Sequence, residues 1–489
     1  MSFFTFSFFI FLIVLMIPYF LLPQRPRTIW LLIMNLIFTY LVGGWGMFGW
    51  LLGSIVFSYI GGRLIHAASK KKPVLVCFLL VELACLCVLK LQTFVVTNVN
   101  LFRGWLGLSG EITALNILVP LGVSFFMLQF ISYLVDVYMG RCEAETDFIG
   151  FAAYGTFFPQ VMSGPINRWT QMKDQFTGKK SWDWDRILPA LERIAWGFFK
   201  KLVIAERMPY IVNDAFSNYT WFSGVNALIG ALACTIQLYA DFSGYSDIAF
   251  GVAQILDIEI IDNFKSPYLS TSIQEFWRRW HISLSSWLKD YVYIPLGGSR
   301  CSKLRKNINL LLTFLVSGIW HGAGWNYIAW GLLHGVAQMI GGFTMPIRNR
   351  IAEALHLRNK DTGNDLWIRT VCRTIGTFFI VMLLWVLFFA PTAHDGFLMI
   401  AKVFQLGSYD FANDYAYHVG TYDPIVWKFL FGSIGVMFLG DCLAKKFGDI
   451  ASGLKKLPWP IHLVFLWFIV SAITLSLNLS TSEFIYMQF

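Results

Sequence analysis

Two histidines stand in one segment whose composition suits acid–base chemistry. His321 lies in LVSGIWHGAGWNYIAWGLLHG (315–335), between Trp320 and Gly322, with Gly324 close behind. Glycines remove side-chain bulk, so a substrate could approach this imidazole closely. The unperturbed pKa of histidine also suits proton transfer near neutral pH. A histidine in an apolar stretch can equally be a packed, hydrogen-bonded residue. His334, on an ordinary helical face of the same segment, is the weaker candidate.

A second candidate segment is EFWRRWHISLSSWLKDYVYIPLGGSR (275–300). A continuous helix would place His281 one turn from Ser285, and Trp280 two turns from Trp287 on one face. The basic residues here suit a phosphate-bearing donor. Alternatively, these basic residues would keep the segment on the cytoplasmic side of the membrane. They are Arg278, Arg279, Lys289 and Arg300.

A third segment, QLYADFSGYSDIAFG (237–251), carries ionisable residues within an apolar region. Such groups cost about 2.5–3.5 kcal/mol at the centre of a membrane helix, so they suggest a functional site. The alternative is a polar contact between helices, hydrogen-bonded inside the bundle. We predict that the group lines a wet cavity and that Gly244 weakens the helix within it.

These segments together define the candidate site. The candidate catalytic residues are His321 and His281. The predicted substrate contacts are Asp241, Ser243, Tyr245, Asp247, Arg278, Arg279, Trp280, Ser285, Trp287, Asp290, Trp320 and Gly322.

Several common kinds of chemistry have no motif here. The sequence contains no Walker phosphate loop, no H-E-x-x-H zinc motif and no G-x-S-x-G nucleophile elbow. Its eight cysteines form no C-x-x-C pair, so we predict neither a metal site nor a bound cofactor. The net charge of +9 comes largely from basic residues clustered between apolar runs, which argues against a nucleic-acid partner.

The elements that must position these residues are membrane helices. Of 489 residues, 56% are hydrophobic and 14% are charged, and the mean hydropathy is +0.59. We predict an all-α, polytopic transmembrane helical bundle of about 11–13 spans with re-entrant or interfacial helices. The predicted spans are 3–22, 28–43, 47–65, 73–91, 114–138, 148–162, 187–205, 224–257 (with room for a break), 308–343 (as two short helices), 369–391, 426–443 and 459–479.

Flanking charges predict the orientation of the bundle. Basic loops stay cytoplasmic, and the loop 392–425 instead carries four aspartates against one lysine. Both termini and this loop are therefore expected on the extracytoplasmic side. The first apolar run has no basic n-region and is expected to be a retained span. The Trp-rich stretch 163–187 suits the membrane interface.

The central motifs resemble those of the membrane-bound O-acyltransferase superfamily. The resemblance rests on RRWHISLSSWLKDYVYIPLGGSR (278–300) and SGIWHGAGWNYIAWGLLHG (317–335). QLYADFSGYSDIA (237–249), FFPQVMSGPI (157–166) and the terminal EFIYMQF (483–489) support it. The chain looks most similar to the bacterial branch that acetylates alginate, cellulose and peptidoglycan.

This resemblance implies that His321 is the family's invariant histidine and that His281 is its partner across the reaction chamber. It also implies a ring of helices around a thinned centre with a funnel on each face. The whole chain (1–489) would be one integral membrane domain: N-terminal helices (1–140), a catalytic core (141–345) and C-terminal helices (346–489). The protein would lie in the bacterial cytoplasmic membrane.

The implied reaction moves an acyl group, expected to be acetyl, from a cytoplasmic donor such as acetyl-CoA to an extracytoplasmic glycan. A secreted SGNH-type relay protein is an expected partner, beside membrane lipid. One alternative is D-alanyl transfer in teichoic acid modification, since the chain also resembles the D-alanyl transferase of the same superfamily. The other is a transporter or flippase that uses Asp241 and Asp247 as a proton relay; the absence of an internal repeat weighs against it.

Overall fold

Helices account for nearly all the regular structure of this protein. The computed structural model describes residues 5–117, 119–176, 178–220, 223–405 and 424–476. Within those ranges the chain forms helices and connecting loops, with one isolated β-bridge between Arg358 and Asp365 and no β-strand. The prediction of an all-α protein is confirmed for this part of the chain. Residues 406–423 of the predicted extracytoplasmic loop 392–425 lie outside the described residues, as does the terminal motif at 483–489.

The described residues separate into two compact units. The first is drawn from Met1–Ile194 and Asp247–Ile261, and the second from Ala195–Ser246 and Asp262–Gln488. The chain passes between the units at three points, which lie inside α8 (Trp184–Phe198), inside α10 (Gly224–Ile255) and in the loop at 261–262. The helices up to this point are α1 (Phe6–Leu21), α2 (Gln24–Ala67), α3 (Lys71–Trp105), α4 (Val123–Tyr138), α5 (Phe148–Gly155), α6 (Phe158–Val161), α7 (Trp169–Met172), α8 (Trp184–Phe198), α9 (Met208–Asn218) and α10 (Gly224–Ile255).

The remaining helices carry the two candidate histidines. They are α11 (Ile273–Arg279), α12 (Ile282–Leu288), α13 (Lys303–His321), α14 (Trp325–Ala354), α15 (Trp367–Phe389), α16 (Ala393–Val403), α17 (Pro424–Phe447), α18 (Ile450–Leu454) and α19 (Trp459–Ser476). Two π-helical turns, Phe199–Ile204 and Lys289–Tyr293, continue α8 and α12.

Six helices in the described part of the chain are long and apolar enough to cross a membrane: α2, α3, α10, α15, most of α17, and α19. The shorter helices α1 and α4 are also apolar. Large apolar side chains such as Leu80 (62% exposed) and Val464 (65% exposed) face outward from these helices. In an aqueous protein such exposure would be costly, whereas hydrocarbon accepts it.

Several predicted spans have different boundaries in the structure. The predicted spans 28–43 and 47–65 belong to one helix, α2, whose only non-helical residue is Gly44 (φ 60°, ψ −163°). A glycine adopts this conformation without a Cβ clash, so two helical parts meet there without a loop. The predicted span 114–138 becomes helical only at Val123.

The segment 148–162 is not one span but two short helices, α5 and α6. Pro159 at the start of α6 lacks a backbone N–H, which favours a new helix start. The buried Asn35 side chain of α2 bridges the interruption: it donates to the Ala153 carbonyl (3.2 Å) and accepts from the Phe158 N–H (3.4 Å). Non-helical backbone at membrane depth needs such protein partners.

The segment 224–257, long enough to contain a break, is the continuous helix α10. Gly244 does not interrupt it. A Cβ at this position would come within 2.8 Å of the Gly197 carbonyl oxygen. The glycine therefore permits close packing of α10 on the second unit's π-helical segment instead of weakening the helix.

Candidate active site

His281 lies at a break that the sequence did not predict. The expected continuous helix through 275–300 ends at Arg279 and restarts at Ile282, with His281 between in a left-handed conformation (φ 45°). Trp280 and Trp287 therefore do not share one helical face, although the Ser285 N–H does reach the His281 carbonyl (2.9 Å) as predicted for one turn.

Asn263 supplies the hydrogen bonds that this break requires. Its main-chain carbonyl accepts the Ile282 N–H (3.1 Å), and its side-chain Oδ1 accepts the Ser283 N–H (3.1 Å). These are N–H groups of the first turn of α12, which have no partner within the helix. Since both Asn263 and Ser283 are buried, this contact fixes the start of α12 and with it the position of His281.

The imidazole of His281 is enclosed by aromatic rings. Its side chain has no exposed surface; the ring centroid lies 4.7 Å from that of Phe242 and 6.2 Å from that of Trp320. Burial lowers the pKa of His281 to about 3, because the charged form loses its hydration. The imidazole is therefore neutral near neutral pH and can offer one donor nitrogen and one acceptor nitrogen.

His321 is the last residue of α13 and is also almost fully buried, with 4% of its surface exposed. Its ring centroid lies 4.9 Å from Trp320, 5.0 Å from Trp330 and 5.3 Å from Phe388. Trp320 thus contacts both imidazoles. The structure brings the two candidate catalytic histidines together around this indole, within the second unit.

The glycines after His321 have a different role from the predicted one. A Cβ at Gly322 would collide with the Tyr327 ring, and one at Gly324 would collide with the Asn326 side chain. The space that these glycines leave is therefore filled by the protein's own residues. They allow α13 and α14 to join tightly.

His334 belongs to the same aromatic group, which the sequence did not indicate. Its ring centroid lies 5.0 Å from that of Trp330, the indole that also contacts His321. The Trp277 indole N–H donates to Nδ1 of His334 (3.3 Å). The described structure thus places a third buried histidine beside the two candidates.

The carboxylate of Asp241 is held by a lysine. Asp241 Oδ1 lies 2.6 Å from Nζ of Lys201, and the same ammonium group lies 2.8 Å from Glu206. The neighbouring Lys200 donates to the Ser243 hydroxyl (2.8 Å). All of these side chains are nearly inaccessible, so the polar face of α10 here is engaged by charged partners from the π-helical segment 199–204.

Asp247, predicted to act with Asp241, belongs to the first unit. There its carboxylate pairs with the Arg193 guanidinium (2.9 Å), which also lies over the Phe250 ring at 3.7 Å. Each aspartate therefore has its own cationic partner. A relay between two uncompensated carboxylates, as the transporter alternative needs, has no support from this arrangement.

The other predicted contacts are dispersed around the α11–α12 segment. Arg278 is exposed, while Arg279 pairs with Glu275 of its own helix (2.8 Å). Ser285 donates through its hydroxyl to the Trp280 carbonyl (3.3 Å), and Trp287 lies 5.0 Å from Tyr291. Tyr245 is buried, Trp280 packs on Trp385 (4.9 Å), and Asp290 is half-buried on the π-helical turn after α12.

Sequence reasoning missed three residues that organise this region. Lys200 and Lys201 carried a detectable signal, because two adjacent lysines inside the apolar run 187–205 are costly unless they have partners. Asn263 gave no signal in the sequence, since it stands in an ordinary polar loop. Among the residues described, no group of three or more His, Cys, Asp or Glu side chains could hold a metal ion.

Comparison with known proteins gives this geometry a context. The family model described as MBOAT, the membrane-bound O-acyltransferase family, matches residues 144–390. A Pseudomonas syringae pv. tomato protein named "Probable alginate O-acetylase AlgI" is 36% identical over 408 residues, which cover 82% of this chain and 74% of that protein.

Two further relatives carry other names. The peptidoglycan O-acetyltransferase of Helicobacter pylori is 37% identical over 347 residues, covering 65% of this chain and 64% of its own length. The teichoic acid D-alanyltransferase of Bacillus subtilis is 30% identical over 244 residues, covering 47% of this chain and 60% of its own length. Both histidine-bearing segments fall inside the matched range 144–390.

Proposed function

The chain belongs to the membrane-bound O-acyltransferase family, and on that premise we propose that it transfers acetyl groups for O-acetylation of an extracytoplasmic polysaccharide. The higher identity and longer coverage of the alginate and peptidoglycan acetylating relatives favour acetyl over D-alanyl transfer. The donor is a cytoplasmic acyl thioester, acetyl-CoA.

In this proposal His321 is the general base. It takes the proton from an acceptor hydroxyl as that oxygen attacks the thioester carbonyl carbon. Proton transfer of this kind typically supplies about 10²–10⁴-fold in rate. The tetrahedral intermediate then expels the thiolate, which receives the proton from His321.

His281 has the complementary role. Because its imidazole is neutral, it can donate one hydrogen bond without carrying a charge into the buried site. It orients the reacting groups or stabilises the negative charge that develops on the carbonyl oxygen.

One observation carries this assignment: two buried histidines, each at the end of a helix, contact the same indole. His281 precedes α12, His321 ends α13, and Trp320 touches both rings.

The setting of the reaction follows from the family. We place the catalytic core at 141–345, within a ring of helices whose thinned centre is reached by a funnel from each face. The donor enters from the cytoplasm, both termini lie outside, and the acyl group leaves toward the glycan or toward a secreted SGNH-type relay protein. The family match over 144–390 supports this core.

The test compares His321→Ala with His66→Ala, a substitution of an exposed histidine at the end of α2. Polysaccharide O-acetyl content and thiol release from acetyl-CoA are measured at matched membrane abundance. We expect both to be lost in His321→Ala and retained in His66→Ala. Unchanged acetylation in His321→Ala would exclude it as the base, and loss of the protein itself would favour a packing role.

A further inference from the structure

Three buried rings next to His321 form a compact group within the second unit. The Trp330 ring centroid lies 5.0 Å from that of His334 and 5.6 Å from that of Trp385, and His334 lies 6.0 Å from Trp385. All three side chains have no exposed surface. We call these residues the donor cluster.

Each member of the donor cluster presents an N–H group. The two indoles can only donate. The Trp277 indole donates to Nδ1 of His334, so the neutral imidazole carries its hydrogen on Nε2 and donates from there. None of these three N–H groups has a hydrogen-bond acceptor among the residues that the structure describes.

Donors of this kind are costly to bury alone. A buried donor without a partner costs about 1–3 kcal/mol, and three lie within one group. Ring faces are weak substitutes for a true acceptor. The Trp330 and Trp385 rings are stacked with only 24° between their planes, so neither indole N–H points at the face of the other ring. The Phe388 ring lies in a T-shaped arrangement with both, and its face offers at most a weak contact to an N–H. The arrangement calls for an acceptor atom that the residues described by the structure do not provide.

We infer that the donor cluster binds the carbonyl oxygen of the acyl group that is transferred. This inference rests on the proposed function. The cluster touches the assigned base, since the Trp330 ring lies 5.0 Å from that of His321. A carbonyl oxygen has two lone pairs and no hydrogen, which suits a group of donors without acceptors.

The hydrogen bonds from the donor cluster to the carbonyl oxygen act during acyl transfer. When the acceptor oxygen bonds to the carbonyl carbon and His321 takes its proton, the carbonyl electron pair moves onto the oxygen. The C=O bond re-forms as the C–S bond breaks, and the thiolate leaves with the proton. Fixed neutral donors around the developing oxyanion stabilise this intermediate without reorganising.

The first test removes one N–H at a time and keeps the ring. Trp330 and Trp385 are each replaced by phenylalanine or by benzothienylalanine, in which sulfur stands in place of the N–H within the same bicyclic shape. Trp30→Phe is the control, because its indole donates to the Leu15 carbonyl (3.0 Å) in the first unit. We expect kcat with acetyl-CoA to fall about 10²-fold in the cluster variants, with little change in KM and no fall in Trp30→Phe.

The second test does not require turnover. In the His321→Ala background, difference infrared spectroscopy of acetyl-CoA labelled with ¹³C at the carbonyl reports hydrogen bonding to the bound oxygen. We expect a lower stretching frequency than in solution and partial reversal by benzothienylalanine at position 330 or 385. Wild-type kcat in the cluster variants, or a bound carbonyl with its solution frequency, would overturn the inference while leaving the His321 assignment intact. Turnover in His321→Ala would instead overturn the proposed function.

Discussion

The contact between Asn263 and α12 predicts how strongly catalysis depends on the backbone around His281. Asn263→Ala removes the oxygen that accepts the Ser283 N–H at 3.1 Å. The main-chain bond from Ile282 to the Asn263 carbonyl remains available. The substitution therefore tests one side-chain hydrogen bond at the helix start.

The size of the effect follows from burial. A buried N–H left without an acceptor costs about 1–3 kcal/mol, and loss of a helix N-cap costs about 0.5–2 kcal/mol. Both figures describe the same bond, so we take about 1–2 kcal/mol. The left-handed conformation of His281 (φ 45°) costs a non-glycine residue roughly the same amount. The free energy of the lost hydrogen bond is thus comparable to that of the strained backbone at His281. Without the bond, other conformations of His281 become populated, and we expect about tenfold lower kcat.

The assay compares thiol release from acetyl-CoA with thermal unfolding for Asn263→Ala, Asn263→Asp and Thr392→Ala. Asn263→Asp keeps the acceptor oxygens and should lie closer to wild type, since the Asn263 amide N–H₂ has no hydrogen-bond acceptor among the described residues. Thr392→Ala removes the cap of α16, where the Thr392 hydroxyl accepts the Asp395 N–H (3.1 Å), and should lower stability alone. Wild-type kcat in Asn263→Ala, or equal losses of kcat in Asn263→Ala and Thr392→Ala, would refute the reasoning.

Three other predictions follow from the structure. Lys201→Met leaves the buried Asp241 carboxylate without its cation and should destabilise the protein by about 3–5 kcal/mol in detergent unfolding, with partial recovery when Asp241→Asn is added. Gly331→Ala should strongly lower the unfolding temperature, because a Cβ there collides with the α13 backbone; Gly341→Ala in the same helix meets no atom within 4 Å and should be neutral or stabilising. Acidification below pH 6.5 should reduce stability through His281 with a slope that approaches about 1.4 kcal/mol per pH unit near pH 5, and His281→Gln should reduce that dependence.

The sign of the last prediction follows from proton binding. Burial lowers the pKa of His281 from its ordinary value of 6.5 to about 3. Between these values the unfolded chain binds the proton and the folded protein does not, so stability rises with pH in this window. An unfolding temperature with the same pH dependence in wild type and His281→Gln would contradict it. An unfolding temperature equal to that of wild type would contradict the ion-pair argument for Lys201→Met and the packing argument for Gly331→Ala.

The extent of sequence-based prediction differs between residues. The two histidine segments and the acidic face of α10 stood out because charged or titratable groups in apolar surroundings are rare. The break at His281 did not stand out, because local helical periodicity continues through it. The structure breaks the helix there because Asn263, distant in sequence, offers two acceptors to the first turn of α12.

The membrane-helical class, most apolar segments and the residues able to transfer a proton are predictable from the sequence, because hydropathy and side-chain chemistry are local properties. The contacts between distant groups are visible only in the folded protein. It paired Asp241 with Lys201 and Asp247 with Arg193, filled the space at Gly322 with Tyr327, and joined His281 to His321 through Trp320. Such contacts depend on packing between distant segments, and no local pattern specifies them.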